Sequence, residues 1–158
     1  MDIIEGVPDR IPDLVSSVAA LFREDGGRRD STMDLTWPDR DGPAYYARLR
    51  EDEDAMWLLA VAESGVAGHL VGRVRRDDPL RPGMVTAVLE SLRVAPESRR
   101  AGVAATLVAV FSTWANSRNA DRHEVTAYAM NGGALAFYRR QGFTDFEVTL
   151  VRPARDGR

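Results

Sequence analysis

The sequence predicts a mixed α/β (α+β) fold with the element order β-α-α-β-β-β-α-β-α-β, in which an antiparallel meander feeds a strand-to-helix crossover. Three observations lead there. Apolar residues run together or alternate in three stretches between positions 56 and 95, separated by turn-forming residues. Apolar residues also recur at helical spacing in segments on both sides of those stretches. Finally, in "LRVAPESRRAGVAATLV" an apolar strand stops at a proline and a helical run of small residues begins.

Taken in order, "MDIIEGV" is a short strand broken by Pro8. From Asp9 onward Ile11, Leu14, Val15, Val18, Leu21 and Phe22 keep a helical period until "DGG", which gives the first helix. Residues 26–42 are polar and rich in Asp and Arg, with Trp37-Pro38 embedded, and read as a loop before a short helix in "PAYYARLRED". "MWLLAVAE" and "VAGHLVGRVRR" form a hairpin around Ser64-Gly65, and "MVTAVLESLRVAP" is the third meander strand. A helix over 102–119 presents Val103, Leu107, Val110, Phe111 and Trp114 on one face. "HEVTAYAM" is then a strand, "NGGALAFYRRQG" a helix opening near Asn131 and closing at Gly142, and "FTDFEVTLV" a last strand. The arginine-rich tail, 153–158, is expected to fray.

At 158 residues the chain has the length of one ordinary domain, so a single domain over 1–158 is expected. A 44% hydrophobic and 28% charged composition suits a globular protein, and the net charge of -3 disfavours nucleic acid, which is held through clustered positive charge. There is no cysteine, which excludes disulfides, thiolate metal sites and a cysteine nucleophile. All 21 basic residues are arginine, so a phosphate-loop lysine and a Schiff-base lysine are excluded too. His69 and His123 belong to no metal-ligand spacing, so no metal is expected. No basic leader precedes an apolar run and no stretch approaches the ~20 apolar residues of a spanning helix. A cytoplasmic protein without membrane contact is expected.

The segment "SRRAGVAAT" raises a chemical question. The first N–H groups of a helix lack intrahelical acceptors, and the helix dipole adds partial positive charge there. Gly102, Ala104 and Ala105 keep bulk away from those donors, while Arg99 and Arg100 add cationic forks. An anion such as a pyrophosphate suits this site; an ordinary solvated turn packing a helix on a sheet explains the same residues.

The later run Asn131-Gly-Gly-Ala134-Leu-Ala-Phe137-Tyr138-Arg-Arg-Gln-Gly142-Phe143, taken with Arg99-x-x-Gly102-x-Ala104, strongly resembles the GNAT superfamily of acyl-CoA-dependent N-acetyltransferases. The resemblance covers residues 56–143; before that only the element order matches. Ala104 and Arg100 stand where many relatives carry glycine. The resemblance implies that Arg99, Arg100, Ala101, Gly102, Val103, Ala104 and Ala105 wrap the pyrophosphate of acetyl-CoA, the co-substrate. It implies further cofactor contacts from the backbone of Leu92, Arg93 and Val94 and from Asn131.

Acetyl transfer needs a neutral amine, stabilisation of the oxyanion and a proton for the departing thiolate. By the same resemblance Glu90 is the general base, directly or through water, and Tyr138 the acid that serves the sulfur. Period-two alternation puts Leu92 and Val94 on the face of Glu90. Glu90 is otherwise a solvated residue or a partner of Arg73 or Arg75, and Tyr138 a core aromatic beside Phe137 and Phe143. Residues 25–46 are expected to select a small-molecule amine. Asp30, Asp34, Trp37, Tyr45 and Tyr128 are the substrate candidates, and about half of Trp37, Tyr45, Tyr46 and Trp57 are expected in the core. A homodimer is compatible with the sequence. The alternatives are a non-catalytic acyl-CoA sensor and an acetyltransferase acting on a protein, a peptide or an aminoacyl-tRNA.

Overall fold

The computed structural model describes residues 1–155; residues 156–158, the end of the tail expected to fray, lie outside the described residues. Five strands form one sheet in the order β1 (Asp2–Glu5), β2 (Ala55–Ala62), β3 (Gly65–Arg75), β4 (Thr86–Val94) and β5 (Arg122–Val125). The first four pair antiparallel, β2 and β3 through a tight hairpin and β1 and β2 across the first four helices, whereas β5 pairs parallel to β4 and needs a helical crossover. That crossover is α5 (Val103–Ser117). Helix α1 (Ile11–Leu21) continues into a π-helical turn, Phe22–Gly26, and the short α2 (Gly27–Arg29). Next come α3 (Trp37–Arg40) and α4 (Gly42–Arg50), and α6 (Gly132–Arg140) follows β5.

Helices cover both faces of the sheet, and β2 shows why its sequence runs apolar without interruption. Trp57 and Leu59 point to one face, where they pack with Leu14, Val15 and Val18 of α1 and Tyr46 and Leu49 of α4. Met56, Leu58 and Ala60 point to the other, against Leu107, Val108 and Phe111 of α5. Tyr46 and Trp57 are core residues, 3% and 1% exposed, whereas Trp37 and Tyr45 are half-buried.

Three expectations need correction. Residues 26–42 are not simply a loop: Pro38 sits in the first turn of α3, where its missing N–H costs no hydrogen bond. Strand β5 ends at Val125, so the second half of "HEVTAYAM" leaves the sheet. The expected last strand, residues 143–151, pairs with nothing among the described residues. Local ties hold it away from the sheet. The N–H groups of Gly142 and Phe143 close back on α6 at 3.0 Å, and Arg139 forks onto Asp145. Phe146 then lies under the guanidinium of Arg122, 4.8 Å from the ring centroid, at the start of β5 and not along it.

Gly72 on β3 is required by packing. A Cβ there would lie 2.8 Å from the Phe111 ring, which is fully buried and has no room to withdraw. Gly72→Ala is therefore expected to cost about 1–3 kcal/mol through overpacking, read as a lower urea midpoint with an unchanged slope.

Candidate active site

The site begins with a register change. Val71 of β3 faces Ser91 of β4, and Gly72 faces Leu89, so Glu90 is an extra residue without a partner. Such a bulge re-aims side chains and breaks alternation. Before it, Ala87 and Leu89 point to the α5 face; beyond it, Leu92 and Val94 pack toward that same face. Glu90 instead turns to the α1/α4 face, where the Tyr45 hydroxyl donates to its Oε1 at 2.5 Å. The shared face expected for Glu90, Leu92 and Val94 is thus corrected: the bulge separates them, and Glu90 is exposed. Arg73 donates to the same Tyr45 oxygen at 3.3 Å. The alternative pairing of Glu90 with Arg73 is therefore present only through a tyrosine, while Arg75 pairs with Glu124. Burial and the Glu90 carboxylate raise the Tyr45 pKa, so the phenol stays a donor.

The parallel pairing of β4 with β5 ends at the same level, Leu89 opposite Val125. Beyond it, the edge of β4 through Leu92, Arg93 and Val94 has no strand neighbour on that side among the described residues. The carbonyl of Val94 is already engaged, accepting from Arg99 Nε at 3.2 Å. Arg93 is fastened by a two-pronged ion pair to Glu24, at 2.7 and 3.1 Å, and Arg99 approaches the same carboxylate at 3.6 Å. Hydrogen bonding from Arg93 holds the Glu24 carboxyl below its usual range, with the charges of Arg93 and Arg99 adding.

After β4 the chain turns through left-handed backbone at Arg100, φ 62°, and Gly102, φ 77°, and α5 begins. No side chain among the described residues caps this helix. The first intrahelical bond is Thr106 N–H to the Gly102 carbonyl, so the N–H groups of Val103, Ala104 and Ala105 have no backbone acceptor in the helix. A Cβ at Gly102 would meet nothing within 4 Å. Ala101 is exposed, Ala104 and Ala105 are half-buried, and Val103 sinks its side chain into the core.

On the far side of the opening, Asn131 caps α6: its Oδ1 accepts from Ala134 N–H at 3.1 Å, and its Nδ2 donates to Asp25 at 3.2 Å. Tyr138 packs between Phe137 and Phe143 in edge-on contacts. Burial, with the Asp25 carboxylate adding, pushes its phenol up to about 12, so it stays protonated across the neutral range. No hydrogen bond joins Tyr138 to Glu90 among the described residues. Tyr128 meets Met33 Sδ at 3.8 Å, and Trp37 stacks edge-on against Tyr45 at 5.4 Å.

The acidic loop is less negative than its composition suggests. Arg40 lies 2.9 Å from Asp34 and 3.0 Å from Asp41, and Asp30 takes up the N–H and hydroxyl of Thr32. Thr36 and Arg40 lower the Asp34 pKa to about 2.

Sequence reasoning missed Glu24, Asp25 and a buried bridge, Ser17–His69–Ser91. Glu24 and Asp25 fall in "FREDGG", whose acids and glycines resemble a loop; the π-helical turn instead aims one at Arg93 and the other at Asn131. His69 is fully buried between Ser17 Oγ, 2.6 Å from Nδ1, and Ser91 Oγ, 2.7 Å from Nε2, and so ties α1 to the strand segment next to the bulge. Among the described residues no group of three or more His, Asp or Glu side chains could hold a metal ion, and no helix is long and apolar enough to cross a membrane.

Comparison with known proteins follows this geometry. The chain matches the acetyltransferase (GNAT) family over residues 19–143. A search of curated proteins finds no significant sequence match. A mutant of the BH1408 protein from Bacillus halodurans shares the fold with a TM-score of 0.87 at 18% identity, covering 98% of this chain and 100% of that one. The aminoglycoside N-acetyltransferase AAC(6')-Iy in complex with CoA gives 0.74 at 16% identity, with 98% and 99% covered. The aminoglycoside 6'-N-acetyltransferase AAC(6')-IG from Acinetobacter haemolyticus gives 0.76 at 19% identity, with 98% and 99% covered.

The buried histidine leads to a pH prediction. Burial, with the Arg93 charge adding, holds the His69 pKa down to about 3, against 6.5 for a free histidine side chain. Between those values the unfolded chain binds a proton that the folded chain refuses. Stability is therefore complete above about pH 6.5 and falls at up to about 1.4 kcal/mol per pH unit below it. His69→Gln is expected to be less stable at pH 7 but to lose less on acidification, in urea titrations repeated from pH 7 to 4.

Proposed function

The chain belongs to the GNAT family of acetyl-CoA-dependent N-acetyltransferases, and on that premise we propose that it acetylates a small primary amine by direct attack in a ternary complex. Without a cysteine there is no thiol to carry the acetyl group between half-reactions. One observation carries the proposal: the bulge at Glu90 coincides with the end of β4–β5 pairing, which puts a carboxylate beside an open strand edge. That edge and the uncapped start of α5 suit an extended thioester with a pyrophosphate. The free N–H groups near Gly102 would take the phosphate oxygens, aided by Arg99 and Arg100.

The chemistry follows from the side chains. A protonated acceptor amine gives its proton to Glu90, whose Oε1 is anchored by Tyr45 while Oε2 has no protein hydrogen bond among the described residues. The neutral nitrogen attacks the thioester carbon, the C–N bond forms, the nitrogen releases its second proton to solvent, and the C–S bond breaks with its electron pair leaving on sulfur. Tyr138 serves that sulfur. A phenol near 12 lies well above an ordinary thiol of about 8.5, so Tyr138 supplies mainly a hydrogen bond during bond breaking, with solvent completing the proton balance. The products are the amide and the free thiol.

Acceptor selection is assigned to the α1/α4 side of the sheet, near Glu90, Tyr45 and Trp37. Because Arg40 compensates Asp34 and Asp41, Asp30 and Asp39 are the first-loop carboxylates with most charge left for a cationic amine. The aminoglycoside acetyltransferases that share the fold make multiply charged amines a reasonable part of the panel. A thiol-release assay with polyamines, aminoglycosides, amino acids and peptides tests the proposal. Turnover is expected with small multiply charged amines; a preference for neutral or acidic acceptors, or acetyl-CoA binding without turnover on any amine, overturns it.

Three substitutions test the assigned roles. Gly102→Glu puts a carboxylate and bulk at the phosphate cradle and is expected to abolish acetyl-CoA binding in calorimetry. Glu90→Gln is expected to lower turnover about 10²-fold at acidic pH and much less at high pH, where free amine is abundant. In the same assay Tyr138→Phe should lower kcat by about 10²-fold with acetyl-CoA affinity preserved.

A further inference from the structure

The acetyl-transfer chemistry leaves unused a polar bridge in the core, Ser17–His69–Ser91. His69 is fully buried and held at both ring nitrogens, with Ser17 Oγ 2.6 Å from Nδ1 and Ser91 Oγ 2.7 Å from Nε2. A neutral imidazole has one donor and one acceptor nitrogen, and the two hydroxyls satisfy both. One end of the bridge is the residue that follows Glu90. Ser91 lies opposite Val71, which packs on the α1/α4 side, and Leu89 lies opposite Gly72, against Phe111 on the α5 side. The bulge therefore puts two successive side chains, Glu90 and Ser91, on the α1/α4 side. Each is held by a different helix: Glu90 by Tyr45 of α4, and Ser91, through His69, by Ser17 of α1. Those bonds fix where the extra residue lies. A slip of one residue toward Leu89 would turn Glu90 to the α5 side and away from Tyr45. A slip of one residue toward Leu92 would turn Ser91 to the α5 side and leave His69 Nε2 without a partner in the core. Both slips keep the flanking pairs Leu70–Leu92 and Arg73–Val88, so the ladder itself does not choose between them.

We propose that His69 is a positioning residue for acetyl transfer: through Ser91 it pins the bulge at Glu90 and so holds the carboxylate where the acceptor amine gives up its proton. The proposal rests on the reading of Glu90 as the base. Tyr45 and the bridge divide the task. Tyr45 holds the tip of the carboxylate, whereas the bridge holds the backbone from which that side chain projects. Both are needed, because a reacting group displaced by about 1 Å costs on the order of 10²-fold in rate. The anchor at the far end is also apt: Ser17 is 5% exposed, within a helix packed on the sheet, so the bulge is referred to a fixed part of the core.

Thiol release from acetyl-CoA with kanamycin or spermidine as acceptor, calorimetry of acetyl-CoA binding and amide hydrogen exchange test this on the full chain. Ser91→Ala removes only the hydroxyl and is expected to lower kcat about tenfold or more while changing acetyl-CoA affinity by less than about twofold. Ser91→Thr keeps a hydroxyl and is expected to retain most of the turnover. In a Glu90→Gln background Ser91→Ala is expected to add little, because the group it positions is gone. Ser17→Ala breaks the bridge at its other end and is expected to speed exchange at the Ser91 and Arg93 amides, which lie opposite Val71 and His69 in the ladder. Wild-type kcat in Ser91→Ala, a loss that adds in full to that of Glu90→Gln, a Ser91→Thr protein as impaired as Ser91→Ala, or unchanged exchange at residues 91 and 93 in Ser17→Ala overturns the proposal. A Glu90→Gln protein with full turnover removes the reading of Glu90 as base, and the positioning role with it. Should neither amine be acetylated, or Ser91→Ala not fold, the exchange of Ser17→Ala against wild type decides alone whether the bridge holds the bulge.

Discussion

One extra residue in the central strand β4 organises the rest of the site. Without the bulge at Glu90, strict alternation would send Ser91 and Arg93 to the α5 face with Ala87 and Leu89, and Leu92 and Val94 to the other. With it, Leu92 and Val94 stay against the α5 side, while Glu90, Ser91 and Arg93 all make their polar contacts on the α1/α4 side. A single inserted residue thus serves packing and polarity on opposite faces. The parallel pairing with β5 stops at this level, so the place where the side chains are re-aimed is also the place where the strand edge opens.

An opened strand needs bracing from elsewhere, and α1 with its π-helical turn supplies it. His69 joins Ser17 of α1 to Ser91 of β4 inside the core, where an unpaired imidazole would be costly. About two turns further on, Glu24 holds Arg93, itself only 12% exposed by its side chain, and Asp25 reaches the cap of α6 through Asn131. These bonds cross the opening from a helix that precedes it in sequence by more than sixty residues. A π-helical turn shifts side-chain positions relative to an α-helix, which lets adjacent acids Glu24 and Asp25 serve two different elements.

The chemistry proposed for Glu90 and Tyr138 rests on contrasting surroundings. Glu90 lies exposed, with one oxygen held by Tyr45 and the other free to meet an amine or water. Tyr138 is packed among aromatic rings, and desolvation keeps its phenol neutral. The pair is therefore divided into an ionisable group open to solvent and a half-buried phenol that stays a donor across the neutral range.

Much of the fold was legible in the sequence, because periodicity is a local property. The run from Met56 to Ala60 dictates a strand buried on both faces, the spacing of Leu107 and Phe111 a helix on one of them, and Asn131 a cap that Ala134 N–H satisfies. The small residues around Gly102 likewise announced an open helix start. The bulge was not legible, since "AVLESLRV" is as good a continuous strand and only the register against Val71 and Gly72 shows that Glu90 is extra. Nor were the contacts of Glu24 with Arg93, of Asp25 with Asn131 and of His69 with Ser17 and Ser91, which join residues 22 to 106 positions apart, nor the fate of "FTDFEVTL", whose alternation fits a strand wherever an edge is free. Local propensity determined which elements form; which edge a strand meets and which charge an acid faces depend on contacts between distant segments, and only the tertiary structure decided them.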